Sequence, residues 1–294
     1  MLDVRSISRR FGDRVALQDV SFSVGAGRLT GFVGANGAGK TTAMRIILGV
    51  LSADSGVVCW HGRPIAAADR RRFGYMPEER GLYPKMKVAT QISYFARLHG
   101  MDARTARSAT DELLEQLSLA ERANDPVESL SLGNQQRAQI AAALVHDPVA
   151  LILDEPFSGL DPLVVDSVVA VVRERASRGV PVLFSSHQLD LVERLCDDVV
   201  IIADGGVRAF GERDQLRHNH SGLRYRLTVE PDAGWLRDLD EVTVLDVDGP
   251  RAVVELGEPG QDQWLLAAAQ RHGTVRSFGP DQPSLSEIFR EVVR

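Results

Sequence analysis

The sequence predicts an α/β chain: a mainly parallel sheet flanked by helices, with an antiparallel β edge and a helical subdomain, then a small C-terminal α+β domain. Three observations predict it. A glycine-rich turn, Gly34 to Thr42, joins a short apolar run, Leu29 to Val33, to a helical pattern from Thr41 to Leu48. Apolar runs of strand length recur at Val149 to Leu153, Val180 to Phe184 and Val199 to Ile202, as in strands buried inside a sheet. Beyond a polar linker, His218-Asn219-His220-Ser221-Gly222, the pattern changes to short alternating strands and two helices.

Val20, Phe22 and Val24 alternate with serines, which is the pattern of a strand with one buried face. Ahead of them stands Phe11, in Arg9-Arg10-Phe11-Gly12. An aromatic here can stack on a purine, worth typically about 1–3 kcal/mol, or pack into the core. The turn Gly34-Ala35-Asn36-Gly37-Ala38-Gly39-Lys40-Thr41-Thr42 matches GxxxxGK[ST], the phosphate-binding loop. Its glycines let successive N–H groups converge on one anion. Lys40 would reach the β- and γ-phosphates and the Thr41 hydroxyl would ligate Mg²⁺. The following helix, ended by Gly49, would face the phosphates with its positive end. Only three of the 34 basic residues are lysines: Lys40, Lys85 and Lys87. A compact ammonium is thus kept where a planar guanidinium would not fit between phosphates.

Ser52 to Gly56 is turn-rich, Val57 to Trp60 reads as a strand and His61-Gly62 as a turn, together a hairpin that completes an antiparallel edge. Gly74 to Pro84, with two glycines and two prolines, is predicted as a loop. From Val88 to about Leu119 the pattern is helical, an insert carrying Ile92, Phe95, Leu98, Leu113, Leu114 and Leu117. Ser129 to Arg137 opens another helix running to about Val145; its serine and glycine make an anion site or an ordinary cap. The strand Val149 to Leu153 ends in Asp154 and Glu155. Side chains alternate along a strand, so the two carboxylates leave in different directions. One can hold Mg²⁺ through water while the other orients an attacking water, or both are solvated at a strand end. His187 follows the strand Val180 to Phe184, at the end where open α/β sheets bind ligands, and is either structural or a partner for the γ-phosphate.

After the linker, Tyr225, Leu227 and Val229 alternate, and Val242 to Val247 and Ala252 to Leu256 flank Asp248-Gly249-Pro250 as a hairpin. Trp264 to Arg271 is helical with Gly273 as its cap, Val275 to Phe278 is a short strand, and Ser284 to Glu287 is a capping box for a last helix through Val293. His218 and His220 can bind metal or be ordinary solvated residues.

The 294 residues are 44% hydrophobic and 25% charged, with a formal net charge of −6. That balance argues against a broad nucleic-acid-binding surface. Two cysteines, Cys59 and Cys196, are too few for a disulfide framework and suit a reducing compartment. Met1 to Arg10 has charges and no apolar core, unlike a signal peptide. No apolar run approaches the roughly 18–20 residues of a membrane span, so the chain is not expected to cross a bilayer by itself.

From about residue 2 to 215 the chain resembles the ATP-binding subunits of ABC transporters, which have a P-loop NTPase core. Phe11 is similar to the adenine-stacking aromatic, Gly34 to Thr42 to Walker A, Leu130 to Arg137 to the signature segment, and Leu151 to Pro156 to Walker B. Ser158 to Asp161 resembles the D-loop and His187 the switch histidine. The resemblance implies that Asp154 supports Mg²⁺, Glu155 polarises the hydrolytic water and His187 senses the γ-phosphate. It implies nucleotide contacts from Phe11, Gly34, Asn36, Gly37, Gly39, Lys40, Thr41, Thr42 and Glu78, with Thr41, Asp154 and Glu78 near the metal. It further implies a composite site in which Ser131 and Gly133 of one subunit cover ATP held by the other, with Asp161 at the junction. The signature helix end would contribute about 0.3–1 kcal/mol, or up to 2 if partly buried.

Two positions depart from the family pattern. Glu78 stands where Gln is usual, and Leu132 and Asn134 interrupt the usual Ser-Gly-Gly-Gln-Gln. Pro77 to Met86 together with Gly133-Asn134-Gln135 resembles the sodium- and drug-export branch, often called NatA-like, which often carries a small C-terminal extension. The expected organisation is an ATPase domain over 1–217, with a helical subdomain over about 88–145, and an accessory α+β domain over 222–294. The resemblance implies an ATP- and Mg²⁺-dependent subunit, working as a homodimer or heterodimer on the cytoplasmic side of the membrane. It would drive a separate membrane-spanning permease, with Glu78 to Met86 in the docking groove and no nucleic acid as partner. The alternatives are a soluble ABC ATPase acting on nucleic acid or a ribosome, and a nucleotide-gated regulatory module in which hydrolysis is incidental.

Overall fold

A computed structural model describes residues 1–79 and 81–293, with the side chain of Leu163 outside the description. Arg80, in the predicted loop of residues 74–84, thus lies outside the described residues. The chain divides into two units, residues 1–213 and 214–292.

The first unit opens with the hairpin β1 (Leu2–Phe11) and β2 (Arg14–Val24), then β3 (Leu29–Val33) and α1 (Lys40–Ile47). β4 (Ser55–Trp60), β5 (Arg63–Pro64) and the single turn α2 (Ala67–Arg70) lead to β6 (Phe73–Met76). The helices α3 (Val88–Leu98), α4 (Ala103–Gln116) and α5 (Leu132–Leu144) follow. β7 (Ala150–Leu153), α6 (Pro162–Ser177), β8 (Val182–Ser186), α7 (Leu189–Leu195), β9 (Asp198–Ala203) and β10 (Gly206–Glu212) complete it.

Its strands form two sheets. One has the order β10-β9-β3-β8-β7-β6 and is parallel except at its β10 edge. β3, β7 and β8 are buried along their whole length, which is why they are mostly apolar rather than alternating. The other sheet, β2-β1-β4-β5, is antiparallel. Its inward residues Leu2, Val4, Leu17, Val20 and Phe22 share one core with Met44 and Ile47 of α1 and Phe32 of β3. The helical insert is held together by α3 against α4 and α5, and α5 packs on β6. Among the described residues no helix is long and apolar enough to cross a membrane.

The structure corrects the sequence reading at several places. Gly74 to Met76 is not loop but the outer strand β6 of the parallel sheet. Glycine hides the strand because α5 crowds it: a Cβ on Gly74 would sit 2.3 Å from the Ala143 carbonyl oxygen. The charged N-terminus forms β1. Its pairing with β2 shifts register between Val4 and Ile7, which breaks the two-residue period.

The second unit comprises all but the first residue of α8 (Arg213–Asn219), then β11 (Arg224–Glu230), β12 (Val242–Asp248), β13 (Arg251–Leu256), α9 (Gln261–His272), β14 (Thr274–Pro280) and α10 (Leu285–Val292), with a short 3-10 turn at Gly234–Asp238. The strand order is β12-β13-β11-β14, antiparallel throughout. Leu227, Val229 and Val254 pack with Leu265 and Ala269 of α9 in its core. The predicted linker is corrected too: His218 and Asn219 belong to α8, and Ser221 is buried with its hydroxyl donating to the His218 carbonyl at 2.7 Å. Gly273 closes α9 without a left-handed turn. Its backbone is extended, and glycine is required because a Cβ would lie 1.9 Å from the Glu230 carbonyl oxygen. The capping box at α10 is formed: Ser284 N–H donates to Glu287 at 2.8 Å and Glu287 N–H donates to Ser284 Oγ at 3.3 Å.

Candidate functional site

The parallel sheet delivers its functional side chains at the carboxyl ends of its strands. β3 runs straight into the glycine-rich loop. Two neighbours force the glycines there: a Cβ on Gly34 would meet the Ile202 carbonyl oxygen at 2.4 Å, and one on Gly39 (φ +109°) would meet the Ala16 carbonyl oxygen at 2.7 Å. The loop is thus clamped between β9 and β2. Lys40, the first residue of α1, is buried and donates to the Gly34 and Ala35 carbonyls at 2.6 and 3.2 Å. An anion entering the loop would compete with those carbonyls for the ammonium.

β7 ends in Asp154 and Glu155, both buried. The neighbouring strand supplies their anchor. Ser185 Oγ donates to Asp154 Oδ1 at 2.5 Å and accepts from the Glu155 N–H at 2.8 Å. Glu155 has φ +51°, a left-handed conformation that is strained for a residue with a Cβ. Gln136 of α5 also fastens this turn, donating to the Glu155 and Pro156 carbonyls at 3.0 and 3.1 Å. Asp154 Oδ2 is buried and has no hydrogen-bond partner among the described residues. Such an orphaned carboxylate oxygen is costly unless a ligand completes it. The nearby Tyr75 phenol has its pKa raised, by burial first and then by the Asp154 charge, with Arg45 opposing.

A cavity of about 500 Å³ gathers Phe11, Asn36, Gly37, Gly39, Lys40, Thr41, Thr42, Glu78, Asp154 and Glu155, together with Arg14 and Ala16. Phe11 is 48% exposed at the end of β1, so it is not a core residue. Gly34 lies under the loop rather than on the cavity wall. His187 is not on the wall either: its Nδ1 sits 3.0 Å from Glu155 Oε2. Ser131, Gly133 and Asp161 are outside the cavity. Ser131 is the exposed N-cap of α5, its Oγ accepting from Asn134 N–H at 3.4 Å. Gly133 lies against the segment before Asp161, since a Cβ there would be 3.4 Å from Leu160. At the departures from the family pattern, Leu132 is 58% exposed, and Asn134 accepts from Arg137, which also donates to the Leu117 carbonyl at 2.8 Å.

The donor set fits a hydrated divalent cation. Asp154 offers one free oxygen, and the Thr41 hydroxyl and Glu78 share its cavity. No cluster of three or more His, Cys, Asp or Glu side chains forms a metal cage among the described residues. Mg²⁺ needs none, because it keeps waters and binds one or two carboxylates plus substrate phosphates. Sequence reasoning missed Arg14, Ser185 and Gln136. The available signal for Ser185 is its place directly after the apolar run of β8, in register beside the strand of the two carboxylates. Arg14 belongs to no motif.

The family described as ABC transporter matches residues 17–158, and that described as the C-terminal domain of DrrA1-3-like ATP-binding proteins matches residues 211–293. The chain is 38% identical to the uncharacterized ABC transporter ATP-binding protein YhaQ of Bacillus subtilis, over 100% of this chain and 98% of that protein. It is 36% identical to the Nod factor export ATP-binding protein I of Burkholderia orbicola, over 81% of this chain and 79% of that one. Among solved structures, an ATP-binding subunit of an ABC transporter superposes with a TM-score of 0.69 at 31% identity, covering 74% of this chain and 92% of that one.

Proposed function

This chain belongs to the ATP-binding proteins of ABC transporters, and we propose that it powers an exporter through a separate membrane-spanning permease. Members of the family bind and hydrolyse ATP. The observation that carries the reading for this chain is the orphaned Asp154 oxygen, set beside Glu155 and Lys40 on one cavity. Likeness to a Nod factor export protein supports the outward direction. The residues from Pro77 to Met86 support the NatA-like, sodium- and drug-exporting branch.

In this proposal Phe11 stacks on adenine. The loop N–H groups around Gly34, Asn36, Gly37 and Gly39 cradle the phosphates, and Thr42 lies beside them. Lys40 leaves its carbonyls for the β- and γ-phosphates. Thr41, Asp154 and Glu78 hold Mg²⁺, which supplies charge neutralisation on the phosphate oxygens when bound. Glu155 orients and deprotonates the attacking water. His187, its Nδ1 3.0 Å from Glu155 Oε2, links sensing of the γ-phosphate to the base that activates the water. Ser131 and Gly133 of the partner subunit cover the phosphates from the other side, with Asp161 at the junction. The exposure of Ser131 and Leu132 supports a surface of that kind. The ATPase domain is the unit of residues 1–213, with its helical subdomain over 88–145. The accessory domain is the unit of residues 214–292, and the dimer works peripherally at the cytoplasmic face.

The test is phosphate release by the full chain, alone and after co-purification from detergent extracts. Release that rises when a multi-span membrane protein co-purifies supports the reading. Purification with RNA or DNA instead, or no release with Mg–ATP, overturns it.

A further inference from the structure

Three arginines surround the turn between β1 and β2, and two are already committed. Arg9 donates to Asp54 at 2.6 Å, with its guanidinium over the Phe11 ring, 5.0 Å from the centroid. Arg10 donates to the Asp13 carbonyl at 3.4 Å, and its backbone N–H donates to Asp54 at 2.7 Å. Arg14 differs. It faces Phe11 across the turn as its strand partner and lines the cavity. Its guanidinium makes no hydrogen bond or ion pair among the described residues. One of its terminal nitrogens lies 3.3 Å from where a Cβ on Gly37 would stand. The guanidinium therefore overhangs the middle of the phosphate-binding loop, between the exposed ring and the loop backbone.

We propose that Arg14 is a second cation for the phosphate tail of the nucleotide, gripping from the hairpin the phosphates that Lys40 and the loop hold from below. The inference rests on the nucleotide-binding reading above. Charge supports it. The cavity wall carries Glu78, Asp154 and Glu155 against Lys40 and Arg14, and a triphosphate brings further negative charge. Arginine suits the task, because its planar fork matches phosphate oxygens and it stays charged at any working pH. The place suits it as well. A ring stacked on Phe11 with its tail in the loop must pass beneath Arg14. The side chain is exposed, so its share of the affinity is moderate.

The experiment titrates the full chain with Mg–ATP, Mg–ADP and adenosine, comparing the wild type with Arg14→Ala and Arg14→Lys. Arg14→Ala is expected to weaken ATP and ADP roughly tenfold, the scale of one charge-assisted hydrogen bond. Adenosine binding and the melting temperature of the unliganded chain should not move. Arg14→Lys should recover part of the loss, since it restores the charge without the fork. Unchanged ATP affinity in Arg14→Ala, or an equal loss for adenosine, overturns the inference. If Lys40→Ala weakens ATP while Arg14→Ala does not, this inference alone fails. If the wild type binds no Mg–ATP, the nucleotide reading fails with it.

Discussion

The Ser185 hydroxyl donates to Asp154 and accepts from the Glu155 N–H, so one side chain fixes both acids at the end of β7. Ser185→Ala would leave a buried acceptor and a buried donor unpaired, each costing roughly 1–3 kcal/mol. Urea denaturation should show the loss, and ATP turnover should fall with it. Unchanged stability would mean that water replaces the hydroxyl. Glu155 is the base in the proposed reaction, and a glutamine amide in its place cannot take a proton. Glu155→Gln is therefore expected to slow hydrolysis roughly 10²–10⁴-fold, with ATP binding retained. Phosphate release measured beside nucleotide binding separates the two effects; retained turnover would remove Glu155 from that role. The His146 imidazole titrates well below its ordinary value. Burial first, and then the stacked ring of His99, push its pKa down to about 4, against the pull of the Phe73 carbonyl and Asp147.

At the scale of elements, the site depends on how closely α5 and β6 approach. Gln136 of α5 holds the turn after β7, while the Ala143 carbonyl sits over Gly74 of β6. Gly74→Ala would press a methyl against backbone that cannot turn aside. Overpacking of this kind typically costs about 1–3 kcal/mol. The denaturation midpoint should drop accordingly, and an unchanged midpoint would show that α5 can lift away from the strand. The same contact explains a misreading. Gly74 carries a glycine for the sake of a helix some seventy positions away, about 70 by residue number, and local reading takes such a glycine for a turn.

For the whole molecule, acid should destabilise the fold through His146. In the unfolded chain the imidazole titrates near its ordinary 6.5, and in the fold near 4. Between those values the unfolded state binds the extra proton. The contribution is therefore complete above the unfolded pKa and is lost as pH falls toward 4. From pH 7 to pH 5 the loss should be on the order of 2 kcal/mol. Urea melts at both values, compared with His146→Asn, read it directly; an equal loss in the variant would assign the effect elsewhere. Assembly is the second property at this scale. If ATP is held between two subunits, Glu155→Gln should sediment as a dimer with Mg–ATP and as a monomer with ADP. A monomer in both states would overturn the composite site.

The sequence by itself determined the class of fold and the family, because both are written in contiguous stretches. A loop that must curl around phosphate needs its glycines and lysine in one run. A strand buried on both faces is mostly apolar rather than alternating. The capping box at Ser284 is equally local. Only the tertiary structure decided which side chains meet across strands and helices. It set Ser185 against Asp154 and Glu155, Gln136 on the turn after β7, His187 on Glu155 and Arg14 over Gly37. It also made a strand of Gly74 to Met76 and a helix end of His218 and Asn219. The physical reason is the same each time. These positions answer to partners distant in the chain, and such partners come within reach only when sheet and helices close around one core.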